Sequence, residues 1–348
     1  MVRDSLLDPN GAAWLGGMLG SDLVDVTSDL SALDQSGRWA VAITFEGAVT
    51  CARFSRWRAG RPDAFAGLWR GPGASGYSSS LDRAGYMTAV ERVRELIAAG
   101  DVYQANVCRR LRVAMPDSRA ADVFALAALL ARGNPAPYGG CLRLPKSGVH
   151  IASASPESFL RRDHDVVESS PIKGTGRTPA DLSDKDRAEN VMIVDLVRND
   201  LGQVCEAGSV TVPSLLRVEH HPSMVHLVST VRGKMRPGIG WEQLLAAAFP
   251  PGSVTGAPKS SALRAIREIE AMARGPYCGA FGWVDADAKT ASLAVAIRTF
   301  WLSDEDGRLS LNFGTGAGIT WGSDAAAEWD ETCLKAGNLI AVAAGEWN

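Results

Sequence analysis

Three kinds of side chain in this sequence have the type and spacing for chemistry. The first is an amine in a glycine-rich setting. Lys173 sits inside the run PIKGTGRT at 171–178, where Pro171, Gly174 and Gly176 predict an irregular turn at a strand end. Read alone, Lys173 is a solvated loop lysine, because lysine is mostly exposed. Held in a desolvated site, the same amine becomes a nucleophile. The run lacks the G-x-x-x-x-G-K-[ST] spacing of a phosphate loop.

Carboxylates come next. Glu189 lies near the start of a helix opened by Ser183, where a negative charge also suits the helix dipole. Glu328 and Glu331 are three apart on the last helix and share a face. Each reads as a surface charge by itself. Taken together, three glutamates on two helices without a His or Cys cluster suit a hard, oxygen-liking cation such as Mg²⁺. The third kind is backbone. Gly314, Gly316 and Gly318 in NFGTGAGIT permit close approach and offer N–H donors to an anion, or simply make a tight connection. Arg298 interrupts an apolar strand in VAIRTF, where a carboxylate partner would compensate it. His226, in MVHLVST, reads most simply as a satisfied structural histidine.

The elements that must position these groups follow from periodicity. WAVAITFEGAVTCARFSRW at 39–57 predicts a hairpin around Glu46-Gly47. Tyr86, Val90, Val93, Leu96 and Ile97 recur at helical spacing, with Gly100 as the stop. DVYQANVCRRLRVAM predicts a strand, residues 121–132 a helix, and 138–170 a series of short strands. Ser183 as N-cap and Asp186 three residues on predict a helix to about Asn199 that buries Val191, Ile193, Val194 and Val197. Strands are expected near 209–217 and 224–233, and a helix near 241–248. A further helix should run from about Thr255, with Pro258 in its first turn, to about Arg274. Strands at 280–285, 291–302 and 308–314 and a helix from Ser323 to about Ala343 complete the chain. Residues 1–35 carry no firm pattern, and 70–80 read as a loop or linker. Hairpins interleaved with helices predict an α+β fold with antiparallel sheet, not a doubly wound parallel one. A boundary near residue 81 would divide an N-terminal β-containing segment from the region 82–348, both within one globule.

Composition excludes several classes. The 348 residues carry 36 Lys+Arg against 39 Asp+Glu, a net charge of −3, which gives no footprint for nucleic acid. Six cysteines show no C-x-x-C pair or zinc spacing. With Asp4, Asp8, Asp22 and Asp25 early and no long apolar run, neither a signal peptide nor a membrane span is expected, and a cytoplasmic setting is the default.

Nine runs occur together and in order: SASPESFL, PIKGT, AENVMIVDLVRNDLG, MVHLVSTVRG, FPPGSVTGAPK, YCGAFGW, VAIRTF, NFGTGAGIT and AEWDETCLKA. Together they resemble the chorismate-utilising enzymes over about residues 82–345. That family includes anthranilate synthase component I, aminodeoxychorismate synthase component I, and the isochorismate and salicylate synthases. The resemblance implies antiparallel sheets packed around a deep site with helices outside. It implies chorismate as substrate and Mg²⁺ as cofactor, bound by Glu189 and Glu331, with Glu328 direct or through water. Glu157 in SASPES would be the acid/base at the leaving oxygen, and Lys173 the nucleophile. Arg298 and the Gly316–Gly318 backbone, together with Gly314 and Thr175, would hold the substrate, and His226 matches a site histidine. Lys173 points to the aminodeoxychorismate branch, since anthranilate synthases typically have Ala there. Gln104 points the same way, since the isochorismate and salicylate synthases place a general-base lysine there. With no glutaminase nucleophile motif in the chain, ammonia is expected free or from a separate glutamine amidotransferase subunit. PIKGT is followed by GRTP where many members read RPR, so the turn is expected to differ. The N-terminal segment that holds tryptophan in some members has no clear counterpart here.

Overall fold

The computed structural model describes residues 10–346 apart from 177, 222, 223 and 306. Its strands are β1 (Ala12–Leu15), β2 (Met18–Thr27), β3 (Arg38–Ile43), β4 (Val49–Ala59), β5 (Ser78–Ser79), β6 (Gln104–Ala114), β7 (Tyr138–Leu144), β8 (Val149–Ser155) and β9 (Ser158–Asp163). They continue as β10 (Val166–Ser170), β11 (Ile172–Gly176), β12 (Thr211–His221), β13 (Met224–Lys234), β14 (Gly256–Ala257), β15 (Ala280–Asp285), β16 (Thr290–Val295), β17 (Thr299–Glu305) and β18 (Arg308–Ile319). The α-helices are α1 (Arg83–Ala98), α2 (Val123–Gly133), α3 (Asp184–Gly202), α4 (Trp241–Ala248), α5 (Lys259–Ile269) and α6 (Ala325–Ala344).

Every ladder between named strands is antiparallel, and the ladders form one continuous path. From β6 it runs through β18, β17, β8, β7, β1, β2 and β4 to β3. It then passes through β15, β16, β9 and β10 to β13 and β12. The fold is α+β, as the hairpin pattern predicts. β1 and β2, unmarked in the sequence, bridge β7 to β4 and tie residues before 82 into the same sheet.

Two corners shape this path. β8 and β9 part at Pro156-Glu157, and β16 and β17 part at residues 296–298. Backbone bonds staple the corners together: Val295 N–H donates to Glu157 O (3.1 Å), and Ala154 N–H to Arg298 O (3.0 Å). The strand expected over 291–302 is therefore two strands. Arg298 lies in the break, with a left-handed φ of 52°, a conformation uncommon for a residue with a side chain.

Other elements depart from expectation for local reasons. Lys173 lies in strand β11, not in a turn. Gly174 takes a φ of 87°, and the β11–β13 register shifts between Ile172 and Thr175. The glycines of NFGTGAGIT continue β18 to Ile319 instead of connecting to the helix. The helix expected from Thr255 begins at Lys259, because Gly256 and Ala257 pair with β6 and Pro258 is the N-cap. It ends at Ile269, where Glu270 and Arg274 form a buried ion pair (2.6 Å). Arg274 also donates to the carbonyls of Val254 and Asn106. The 70–80 stretch holds a short 3₁₀ turn and β5.

The apolar faces supply the order. Ile193, Val194, Val197 and Leu201 of α3 enter the main core, whereas Val191 is exposed. Ser183 caps α3 as expected: Asp186 N–H donates to Ser183 Oγ (3.1 Å), and Ser183 N–H to Asp186 Oδ2 (2.9 Å). Leu339, Ile340, Val342 and Ala343 of α6 pack on a second core with α2 and β18. These cores fix α3 and α6, the helices that carry the glutamates.

Candidate active site

Glu157 sits at the β8–β9 corner, 3% exposed. Its Oε1 has no hydrogen-bond partner among the described residues. Burial, the largest cause, pushes its pKa from an ordinary 4.5 up to about 7. The Ser253 side chain, the Lys173 charge and the Ile172 backbone pull in the opposite direction. The result is a carboxyl able to hold or release a proton near neutrality, which suits general acid–base work.

Lys173 stands on β11 beside α3. A Cβ on Gly174 would lie 2.8 Å from Asp186 Cβ, so the absent side chain lets β11 approach the first turn of α3 closely. Lys173 Nζ is 3.8 Å from Glu189 Oε2. It also stands over β18: a Cβ on Gly318 would lie 3.0 Å from Lys173 Nζ and 2.3 Å from Gln104 Nε2. Gln104 is fully buried, its Nε2 donates weakly to Asn106 Oδ1 (3.4 Å), and its Oε1 has no partner among the described residues. An amine and an amide thus converge where Gly318 supplies no side chain.

The three glutamates are arranged around ammonium groups. Lys185, in the first turn of α3, lies 3.8 Å from Glu189 Oε1 and donates to Glu328 Oε1 of α6 (3.2 Å). Glu331 pairs with Lys335 (2.5 Å), which also donates to Gly316 O (3.2 Å). Burial raises the Glu189 pKa, and Lys173 and Lys185 oppose that. Burial works against the Lys185 charge, but Glu328 and Glu189 outweigh it and hold its pKa above the lysine norm. Among the described residues no three His, Cys, Asp or Glu side chains are gathered as a metal cluster. The donor set still fits a cation: a carboxylate from α3 and one from α6 already share the Lys185 ammonium, and oxygen donors are what Mg²⁺ takes.

The other expected residues lie at distinct places. β17 leaves β18 after the Phe300–Phe313 pair, so residues 314–319 ladder with β6 alone among the named strands. Arg298 stands two residues before Phe300 at that parting point, and burial lowers its guanidinium pKa. Gly316 is packed on Cys108 Sγ, 2.6 Å from the site of a Cβ. Gly314 has a packing reason: its Cβ would strike the Tyr277 ring at 2.0 Å. His226 is buried on β13, in register with Thr175 of β11. Asn106, Ser253 and Lys185 escaped the sequence reading as site residues. Asn106 was accessible, since it is two residues from Gln104 on a strand and faces the same way.

The family described as chorismate binding enzyme matches residues 51–341. Anthranilate synthase component 1 1 of Haloarcula marismortui is 41% identical over 278 residues, 76% of this chain and 54% of that protein. Aminodeoxychorismate synthase of Streptomyces pristinaespiralis is 41% identical over 279 residues, 76% of this chain and 37% of that protein. The chain thus spans about half the length of the first, and less of the second. In fold it is similar to a solved structure described as a putative 2,3-dihydroxybenzoate-specific isochorismate synthase from Bacillus anthracis. The TM-score is 0.78 at 23% identity, over 99% of this chain and 100% of that one.

Proposed function

The chain belongs to the chorismate-binding enzymes, and from that premise we propose that it is an aminodeoxychorismate synthase component I. Its reaction would replace the C4 hydroxyl of chorismate by an amino group, towards p-aminobenzoate and folate or a p-aminophenyl metabolite. One observation carries the reading: the Lys173 amine and the Gln104 amide converge over Gly318.

In this reading Lys173 adds through its neutral amine to C2 of the ring while the C4 hydroxyl departs. Glu157 donates the proton that lets it leave as water. Ammonia then adds at C4, the C2–nitrogen bond breaks, and Lys173 is released. The two displacements place nitrogen where the oxygen was, and the hard substitution is split into two easier ones. Bound Mg²⁺, held by Glu189 and Glu331 with Glu328 direct or through water, would neutralise and orient the ring carboxylate. Arg298 and the β18 backbone from Gly316 to Gly318 would hold the enolpyruvyl carboxylate. Gln104 cannot act as a base toward water, which keeps the isochorismate-type hydration out of reach. Ammonia would come from a separate glutamine amidotransferase.

The Haloarcula relative's name favours a second reading, anthranilate as product. Chromatography of the product from chorismate, Mg²⁺ and ammonium separates the two. Aminodeoxychorismate is expected, and anthranilate as the main product refutes the assignment. Lys173→Ala should lower aminodeoxychorismate formation by several orders of magnitude, since a nucleophile acting in a unit can be worth on the order of 10⁶-fold. Wild-type rates in that variant would remove the covalent step.

A further inference from the structure

The first turn of α3 carries a charge that the helix disfavours. Lys185 is its second residue, at the positive end of the helix dipole, where acidic side chains are preferred. Its neighbours Asp184 and Asp186 follow that preference. Within its own helix Lys185 has one compensation, the i,i+4 pair with Glu189; its shorter contact lies on another helix.

Its ammonium reaches Glu328 Oε1 on α6 (3.2 Å) and Glu189 Oε1 on its own helix (3.8 Å). Glu331 adds a longer-range attraction. The Glu328 and Glu189 side chains are only 6% and 13% exposed, so without a cation two poorly solvated carboxylates would be left uncompensated around the Lys185 position. The Lys185 side chain is 45% exposed. Its stem has a path to water that the carboxylates lack. Lys173 does not duplicate the role: it approaches the other oxygen of Glu189, and its side chain is 12% exposed.

We infer that Lys185 is a resident counter-ion that holds the α3 and α6 carboxylates together in the metal-free chain and swings into solvent when a divalent cation takes its place. The inference rests on the proposed Mg²⁺ site. A dication seated between the two carboxylates would repel an ammonium at this range, so metal entry is expected to displace Lys185 from both. Metal affinity is then set partly by a residue that is not a ligand.

The test is calorimetric titration of Mg²⁺ into metal-free wild type and Lys185→Met, without chorismate. The variant should bind Mg²⁺ about tenfold more tightly, the scale of one lost contact to a charged group. Its metal-free melting temperature should fall below wild type, and the gap should narrow at saturating Mg²⁺. Binding that is unchanged or weaker in Lys185→Met overturns the inference and leaves the metal site standing. No Mg²⁺ binding to either protein overturns the metal site and the inference with it. A second readout needs no variant: acetylation of Lys185 by an N-hydroxysuccinimide ester, followed by peptide mass spectrometry. Labelling should rise severalfold with Mg²⁺, and labelling that is constant or slower overturns the displacement.

Discussion

Glu157→Gln tests the buried acid through stability, independently of turnover. Glu157 is 3% exposed and its pKa stands at about 7 in the folded chain against 4.5 ordinarily. Between those values the folded chain keeps a proton that the unfolded chain has released. Stability must therefore fall as pH rises through that window, and the full penalty is present above pH 7. At 1.36 kcal/mol per pH unit, the gap corresponds to roughly 3 kcal/mol, of which about 2.5 kcal/mol develops between pH 5 and pH 8. Glutamine fills nearly the same volume and does not ionise. Urea unfolding of both proteins at pH 5 and pH 8 isolates the effect, because other titrating groups are common to the pair. The stability of Glu157→Gln relative to wild type should rise by about 2.5 kcal/mol from pH 5 to pH 8. A relative stability constant across that range would show that Glu157 ionises normally, and the reasoning from burial would fail. The same variant should lose about 10²–10⁴-fold in turnover as the proton donor disappears.

Three further outcomes are expected. EDTA should abolish turnover and Mg²⁺ restore it, with full activity in EDTA removing the proposed roles of Glu189, Glu328 and Glu331. Ammonium salts at alkaline pH should support turnover by the purified chain and glutamine should not until a separate amidotransferase is added; glutamine-driven turnover by the chain alone would refute this. Gly318→Ala should cut activity sharply while leaving the melting temperature within a few degrees of wild type, because its Cβ would meet the mobile ends of Gln104 and Lys173, not backbone; wild-type kinetics would move the site away from β18.

The sequence alone determined the parts whose physics is local. Ser183 and Asp186 specify the start of α3, Glu46-Gly47 turns the β3–β4 hairpin, and Gly100 follows the end of α1. Capping and turn chemistry depend on neighbours a few residues away, so they survive without the rest of the chain. The nine ordered motifs likewise carry the resemblance to the chorismate enzymes by themselves. Only the tertiary structure decided the remainder. Lys173 reads as a loop residue until β13 gives β11 a ladder, and Gly314–Gly318 reads as a connection until β6 pairs with it. Strand pairing is long-range, and glycine-rich segments carry little intrinsic signal for it. The run around Arg298 reads as one strand, but the partner switch from β9 to β8 breaks it in two. Glu157 is acidic by type. Its protonation near neutrality comes from the corner that buries it. Lys185, one residue in a capping turn, acquires its role only because the cores of α3 and α6 bring Glu328 within 3.2 Å of it; burial and cross-helix distance belong to the packed chain and to no segment of it.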